Sequence, residues 1–302
     1  MHTYQLFNFH IHTPFECPEL LEPDSCSQYF PSVYVSYGNV LKNLDSPLNM
    51  GPVYEATNEL FLLKVGVGQY LIRNGSEIII QPAHNATEKQ LRLLLFGSAM
   101  GALLNQRGYF VLHASAIATN KGAVIVMGIS GAGKSTTIQS FVDKGYKQLA
   151  DETVALYYDK KSQQVMALPS FPSTKLWKNS VEKLDKDMKN LTRVSDNFEK
   201  FHLYNKTNFV NKAIPLFAVY HLVSTRESDE LLMEELNASE KLKTLFDNTY
   251  RRKYSDKLRC KENHFTIATR AVNQAHIKLL KRPDLKDTFK ELIQFIEKDL
   301  DL

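Results

Sequence analysis

Cysteine is scarce in this chain. Cys17, Cys26 and Cys260 are the whole complement in 302 residues, odd in number and without C-x-x-C spacing. That argues against a disulfide or zinc framework and for free thiols in a reducing cytoplasm. Tryptophan occurs once, at Trp177. No apolar run reaches the roughly 20 residues a membrane helix needs. The opening Met1-His2-Thr3-Tyr4-Gln5 has no basic region leading into an apolar core, so no secretion signal is expected. Neither sign of charge dominates: 37 Lys and Arg against 33 Asp and Glu leave a net charge of +4. The basic residues are scattered apart from Arg251-Arg252-Lys253, and no aromatic-basic interleaving accompanies them. Neither nucleic acid nor membrane is therefore an expected partner. Internal repeats and low-complexity tracts are also missing. What remains is an ordinary soluble composition, 43% hydrophobic and 23% charged, long enough for one large or two ordinary domains.

Against that plain background one stretch stands out: Gly128-Ile129-Ser130-Gly131-Ala132-Gly133-Lys134-Ser135-Thr136. It follows the apolar run Ala123–Met127 and precedes a helical pattern from Ser135 to Lys144, stopped by Gly145. Strand, glycine loop, Lys-Ser and helix are the context of a phosphate-binding loop. The glycines can take backbone angles closed to other residues, so successive N–H groups turn toward one anion. The helix that begins there adds its positive end. Gly128, Ser130, Gly131, Ala132, Gly133, Lys134, Ser135 and Thr136 are thus the expected nucleotide contacts. Lys134 can reach the β- and γ-phosphates, and the Ser135 hydroxyl can ligate Mg²⁺.

The rest of the chain is organised around that loop. Residues 1–86 read as a β-rich N-terminal domain. Tyr4 to His12 alternates as one strand, Ser32–Tyr37 as another, and Asn74-Gly75 sits between two apolar runs as a hairpin turn. His10 and His12 share a face, but no third ligand is nearby, so they are expected to be packing or surface histidines. Residues 87–302 read as the nucleotide domain with a helical C-terminal region. A capping box at Thr87–Gln90 opens a helix to about Arg107, ended by Gly108. A hairpin is expected over Val154–Leu168, a helix from Asn179 to about Met188, and a strand over Leu216–Val223. Residues 189–213 are polar and resemble a mobile loop. Helices are expected over 239–254 and 284–300, with 268–280 ambiguous.

Two acids, Asp151 and Glu152, end the short strand-like segment after the phosphate-loop helix. That position returns them toward the loop, where a carboxylate can hold Mg²⁺ or accept a proton from an attacking hydroxyl. His113 lies inside the apolar segment Tyr109–Ala118, and composition alone favours a packed core histidine there.

The run from His113 through Asp151 resembles the catalytic core of HPr kinase/phosphorylase. The matching positions are His113, the loop Gly128–Thr136, and Ala150-Asp151-Glu152. The chain is similar in further detail to HPr-kinase-related serine kinases of peptide-modification clusters, the lasso-peptide kinases among them. It shares Gly97-Ser98-Ala99-Met100-Gly101-Ala102-Leu103-Leu104, Leu112-His113-Ala114-Ser115 and Lys175-Leu176-Trp177 with them. The resemblance implies an α/β fold with the phosphate-loop core shared with phosphoenolpyruvate carboxykinase. It implies ATP and Mg²⁺ as cofactors, Asp151 as general base and Lys134 as the cation that neutralises the moving phosphoryl group. It places His113 beside the reacting centre and makes Ser135 and Glu152 the Mg²⁺ ligands. The implied activity is transfer of the γ-phosphate to a Ser or Thr hydroxyl of a peptide, with the C-terminal serine of a lasso-peptide precursor as candidate acceptor. A small-molecule kinase, acting for example on free serine, and a non-catalytic ATP-sensing module are the alternatives. A homo-oligomer stays open. The glycine-rich signature late in the family's core is not found in this sequence, so HPr as substrate and phosphorylase activity are not carried over. Arg193 or Lys200 would stand in for that signature's phosphate-contacting arginine.

Overall fold

A turn without glycine or proline opens the N-terminal sheet. Tyr4–His12 is not one strand but a hairpin, His2–Leu6 against Phe9–Thr13, with Leu6 opposite Phe9. Phe7 and Asn8 both take positive φ, 52° and 57°, the backbone that a tight two-residue turn needs. Only Asn8 is a residue type that favours it, and the fully buried Phe7 side chain helps hold the other half of the turn. The Asn74-Gly75 turn was legible from its sequence and is present, joining Gly68–Arg73 to Glu77–Pro82.

The computed structural model describes residues 1–195, 198–284 and 288–302, without the side chains of Cys26 and Asn190. It is a mixed α/β structure of two units. The first comprises Met1–Val111 and Thr249–Ile267, the second Leu112–Asn248 and Ala268–Leu302. The helical stretch that opens at Thr87 falls within the first unit, and so does a return of the chain at 249–267.

Eight strands build the sheet of the first unit, with Ser32–Tyr37 central and parallel to both of its neighbours. Alternate residues such as Tyr70 and Ile72, or Ile78 and Ile80, are fully buried. The helical stretch starts as expected, Thr87 and Gln90 satisfying each other's backbone N–H. It runs as Glu88–Leu94, a wider turn over Leu95–Ala99, and Met100–Gln106. Its small residues have a use: a Cβ on Gly101 would lie 2.9 Å from the Tyr250 ring. His10 and His12 are held by hydroxyls, His10 by Ser27 and His12 by Thr3 and Ser32. Among the described residues no cluster of His, Cys, Asp and Glu could hold a metal ion by itself. Cys17 and Cys260 are free, and burial pushes their thiols up to about 12 and about 11, so both are poor nucleophiles. The Cys26 side chain lies outside the described residues.

His264 makes the first unit acid-sensitive. It is 1% exposed beside Phe110, with no hydrogen-bond partner at Nε2. Burial, with help from Lys261, lowers its pKa from 6.5 to about 4 against a hydrogen bond that the ring donates to the Tyr109 backbone. Between those values the unfolded chain binds a proton that the fold refuses, so stability falls as pH drops through that window. The full difference is roughly 3 kcal/mol. Urea midpoints should therefore fall between about pH 7 and about pH 4.5, and His264→Gln should flatten that dependence.

The second unit carries the site. Its sheet runs in the order Lys147–Ala150, Ala114–Ala118, Ala123–Met127, Ile214–Thr225, Gln164–Ala167, Val154–Asp159. The central strand Ala123–Met127 is buried at every residue. It lies antiparallel to Ala114–Ala118 and parallel to Ile214–Thr225. His276–Pro283 adds to Ile214–Thr225 in parallel, with Leu232–Glu235 beyond it. Helices Lys134–Asp143 and Phe289–Leu300 cover this sheet, burying Ile138, Phe141, Leu292 and Ile296 against Val124, Val126 and Tyr220. Among the described residues no helix is long and apolar enough to cross a membrane.

Three expectations change here. The polar 189–213 stretch contains two strands, Thr192–Ser195 and Phe198–Tyr204, which join Ser173–Trp177 in a separate three-stranded sheet. Its charges hid an alternation whose inward residues include the buried Val194 and Phe201, the latter packed with Leu176 and Val181. The ambiguous 268–280 region divides between the helix Cys260–Gln274 and the strand His276–Pro283. The helix expected over Asn179–Met188 is Lys178–Lys183. Of the helix expected over 284–300, residues 285–287 lie outside the described residues.

Candidate active site

The phosphate loop begins where the central strand runs out. Gly128 (φ 152°), Gly131 (φ 87°) and Gly133 (φ 104°) take backbone conformations that side chains resist. Gly128 is the most constrained, because a Cβ there would lie 2.4 Å from the Leu222 carbonyl oxygen. Gly128→Ala should cost about 2–4 kcal/mol through strain and overlap together, read as a lower denaturant midpoint at unchanged slope. Gly131 is open on the ligand side, with nothing within 4 Å of a Cβ. Ala132 is buried; its N–H donates to the Ile129 carbonyl at 3.2 Å, and its own carbonyl accepts from Arg282 Nε at 3.0 Å. These contacts close the loop at the start of the helix Lys134–Asp143.

Lys134 is almost fully buried and folds back over the loop, donating to the Gly128 carbonyl at 2.8 Å and the Ile129 carbonyl at 3.0 Å. Burial pushes its ammonium down to about 8, against the pull of Asp151 and Glu152. It therefore stays largely charged at neutral pH. An anion in the cradle would offer it a stronger partner than two neutral carbonyls.

Asp151 follows the strand Lys147–Ala150, whose pairing of Ala150 with Ala116 sets the acid beside Ser115. Its Oδ1 accepts from Ser135 Oγ at 2.8 Å and from Ser115 Oγ at 2.5 Å, and its Oδ2 accepts from the Lys175 backbone N–H at 2.8 Å. The acid and the loop hydroxyl predicted to hold Mg²⁺ are thus in direct contact. Asp151 is only 3% exposed, and three donors share its carboxylate.

Glu152 faces the other way. It is a non-glycine residue with φ 67°, a costly conformation that the surrounding contacts must hold. Its carboxylate pairs with Lys175 Nζ. Burial pushes its pKa up, but Lys175, Lys200 and His113 outweigh that and hold it well below the usual carboxylate range. His113 sits at the break between Phe110–Leu112 and Ala114–Ala118, where its backbone N–H donates to the Asn248 carbonyl at 2.8 Å. Its Nδ1 lies 3.1 Å from the Glu152 carbonyl, which can only accept, so Nδ1 carries the proton. Burial and nearby Lys134 lower its pKa, so the ring is neutral with its lone pair on Nε2.

A cavity of about 140 Å³ lies over the loop. Ser130, Gly131, Gly133, Lys134, Ser135 and Thr136 form one side, while Glu152, Lys175 and Lys200 bring charged groups and His113 a neutral ring. Of the two candidates for a phosphate-contacting cation, Lys200 lines it, its ammonium 5.6 Å above the Trp177 ring. Arg193 lies over Phe201 instead. Sequence reasoning missed Ser115 and gave Lys175 no role. Ser115 sits three residues from a strand end and Lys175 on a strand far along the chain, and only the fold shows that both reach Asp151. The residues fit a nucleotide and its cation: a glycine-bent loop at a helix start, a buried ammonium, and a hydroxyl-carboxylate pair of the hard oxygen type that Mg²⁺ takes alongside phosphate.

No protein-family model matches the chain, and no curated protein matches it. Among solved structures 47 chains match, and one of them is the HPr(Ser) kinase/phosphatase from Coxiella burnetii. The chain is similar to that protein at 13% identity, over 63% of its own length and 93% of that chain, with a TM-score of 0.33. A likeness of that size carries no functional argument; the side chains described above do.

Proposed function

We propose that this chain is an ATP- and Mg²⁺-dependent phosphotransferase that moves the γ-phosphate to a hydroxyl of a peptide serine or threonine. The observation that carries the reading is the hydrogen bond from Ser135 Oγ to Asp151 Oδ1 at the floor of a glycine-lined, cation-ringed cavity. Phosphoryl transfer asks little covalent chemistry of a protein: in-line placement, charge neutralisation and a proton acceptor. The loop N–H groups and Lys134 hold the triphosphate. Ser135, oriented by Asp151, is the residue that would hold Mg²⁺, which when bound supplies further neutralisation of the phosphates. Lys175 and Lys200 place positive charge beside the negative charge carried by the transferring group.

The two acids divide the remaining work in the reverse of the order expected from sequence. Asp151 is shielded and committed to Ser135, so it positions the cation-binding hydroxyl. Glu152 lines the cavity and is held ionised, so it is the carboxylate an acceptor hydroxyl can meet. The acceptor oxygen bonds to the γ-phosphorus as the bond to the β,γ-bridging oxygen breaks. Glu152 takes the hydroxyl proton, and ADP leaves. Neutral His113 lines the same cavity beside Glu152.

Peptides ending in serine, the same peptides ending in alanine, and free serine should be incubated with the full chain and Mg²⁺–ATP and weighed intact. One added phosphoryl group on the serine-ended peptide alone is the expected result. Modification of free serine instead would make the acceptor a small molecule. Nucleotide bound with no acceptor modified would leave an ATP-sensing module.

A further inference from the structure

The cavity over the loop holds about 140 Å³, and a second, larger one of about 720 Å³ in the same unit shares a lining residue with it. Thr136 lines both. Thr136 is the first residue past Lys134-Ser135, so it stands where the helix start ends its hold on the phosphates. The larger cavity runs outward from there along the helix Lys134–Asp143, past Ser140 and Asp143, to the turn at Leu184-Asp185 and the first turn of the helix Phe289–Leu300. Its volume falls within the roughly 300–1,000 Å³ of small-molecule sites, whereas the loop cavity is below that range.

We infer that the larger cavity receives the nucleoside of the phosphoryl donor, with the base against Phe289. This rests on the phosphotransferase reading and supplies the subsite that reading lacks. The smaller cavity suits phosphates, being lined by N–H groups and cations. A base and ribose must leave it by a route continuous with the helix start, and the Thr136 side is where another cavity opens. The walls there have the chemistry of a nucleoside site. Phe289, Leu184 and Ile293 are apolar, while the carboxylates of Asp143 and Asp185 and the amide of Gln294 can meet ribose hydroxyls and ring nitrogens. Phe289 is half-buried, and its ring edge lies 3.0 Å from where a Gly133 Cβ would be, so loop and aromatic are tied together. Arg282 strengthens the tie, donating to the Ala132 carbonyl while its guanidinium lies 5.4 Å from the Phe289 ring centre. Lys183, whose ammonium is 5.1 Å from that ring centre, is exposed and can move aside for a base or toward an α-phosphate.

The test separates nucleoside from phosphate. The full chain is titrated calorimetrically, in Mg²⁺, with ATP and with inorganic tripolyphosphate. Two variants accompany it: Phe289→Ala, which removes the aromatic wall, and Ser140→Phe, which fills the cavity from a half-buried position on the helix. The expected result is a loss of about tenfold or more in ATP affinity in both variants, the size of one base-aromatic stack. Tripolyphosphate affinity should change by much less, so the preference for ATP over tripolyphosphate collapses. Wild-type preference for ATP retained in both variants overturns the assignment and leaves the phosphate loop standing. A wild-type chain that binds neither ligand removes the phosphotransferase reading as well. If Phe289→Ala lost both ligands through the loop, Ser140→Phe would still decide.

Discussion

Lys134→Met is expected to reduce phosphoryl transfer by about a thousandfold or more, the scale of losing a fixed cation at a developing phosphoryl charge. The cause goes beyond a missing charge. Lys134 Nζ donates to the Gly128 and Ile129 carbonyls, so its ammonium also braces the loop it serves. Methionine matches its length and packs in its buried place but offers neither service. A rapid-quench assay with labelled ATP should show the loss in the transfer step, while the thermal midpoint moves by only a few degrees. Loss of the fold would implicate Lys134 in stability instead.

The acid pair supplies the second large effect. Glu152→Gln should lower kcat by roughly 10²–10⁴, the usual contribution of a positioned proton acceptor, with ATP affinity little changed. Asp151→Asn should act differently. An amide can keep its oxygen on the Lys175 backbone N–H and turn its N–H₂ to the two hydroxyls, which then accept instead of donating. It should raise the Mg²⁺ concentration needed for half-maximal rate, because the negative charge beside Ser135 is gone, and leave the melting temperature within a few degrees. Glu152→Gln also leaves the Lys175 ammonium short of its partner, which by itself destabilises. The double variant Glu152→Gln, Lys175→Met should recover the fold without recovering turnover. A Glu152→Gln enzyme within a few-fold of wild type, beside an inactive Asp151→Asn, would return the base role to Asp151.

The parts of this site that could be read from sequence are those made by neighbouring residues. Glycine spacing, the apolar strand before it and the helix after it sit within one short segment, and their conformations follow from local chemistry. The adjacency of Asp151 to the loop was legible for the same reason, since one short helix returns the chain. Lys175, Lys200 and Trp177 come together through a sheet whose strands Ser173–Trp177 and Phe198–Tyr204 are separated by a long polar segment. That pairing rests on Phe201 and Leu176, whose signal was diluted by the charged residues around them. The different surroundings of the two acids were not legible either: Glu152 takes φ 67° and pairs with Lys175, while Asp151 accepts from Ser115, Ser135 and the Lys175 backbone N–H. The Phe7-Asn8 turn failed for a related reason: long-range packing of Phe7 holds a backbone its side chain disfavours.

The most direct test of the central claim is electron spin-echo detection of phosphorus around Mn²⁺ substituted for Mg²⁺ in the ATP complex. The account predicts strong coupling to the β- and γ-phosphorus, lost or rearranged in Ser135→Ala, and retained in Glu152→Gln. A manganese–nucleotide complex whose phosphorus coupling is indifferent to Ser135 would contradict it.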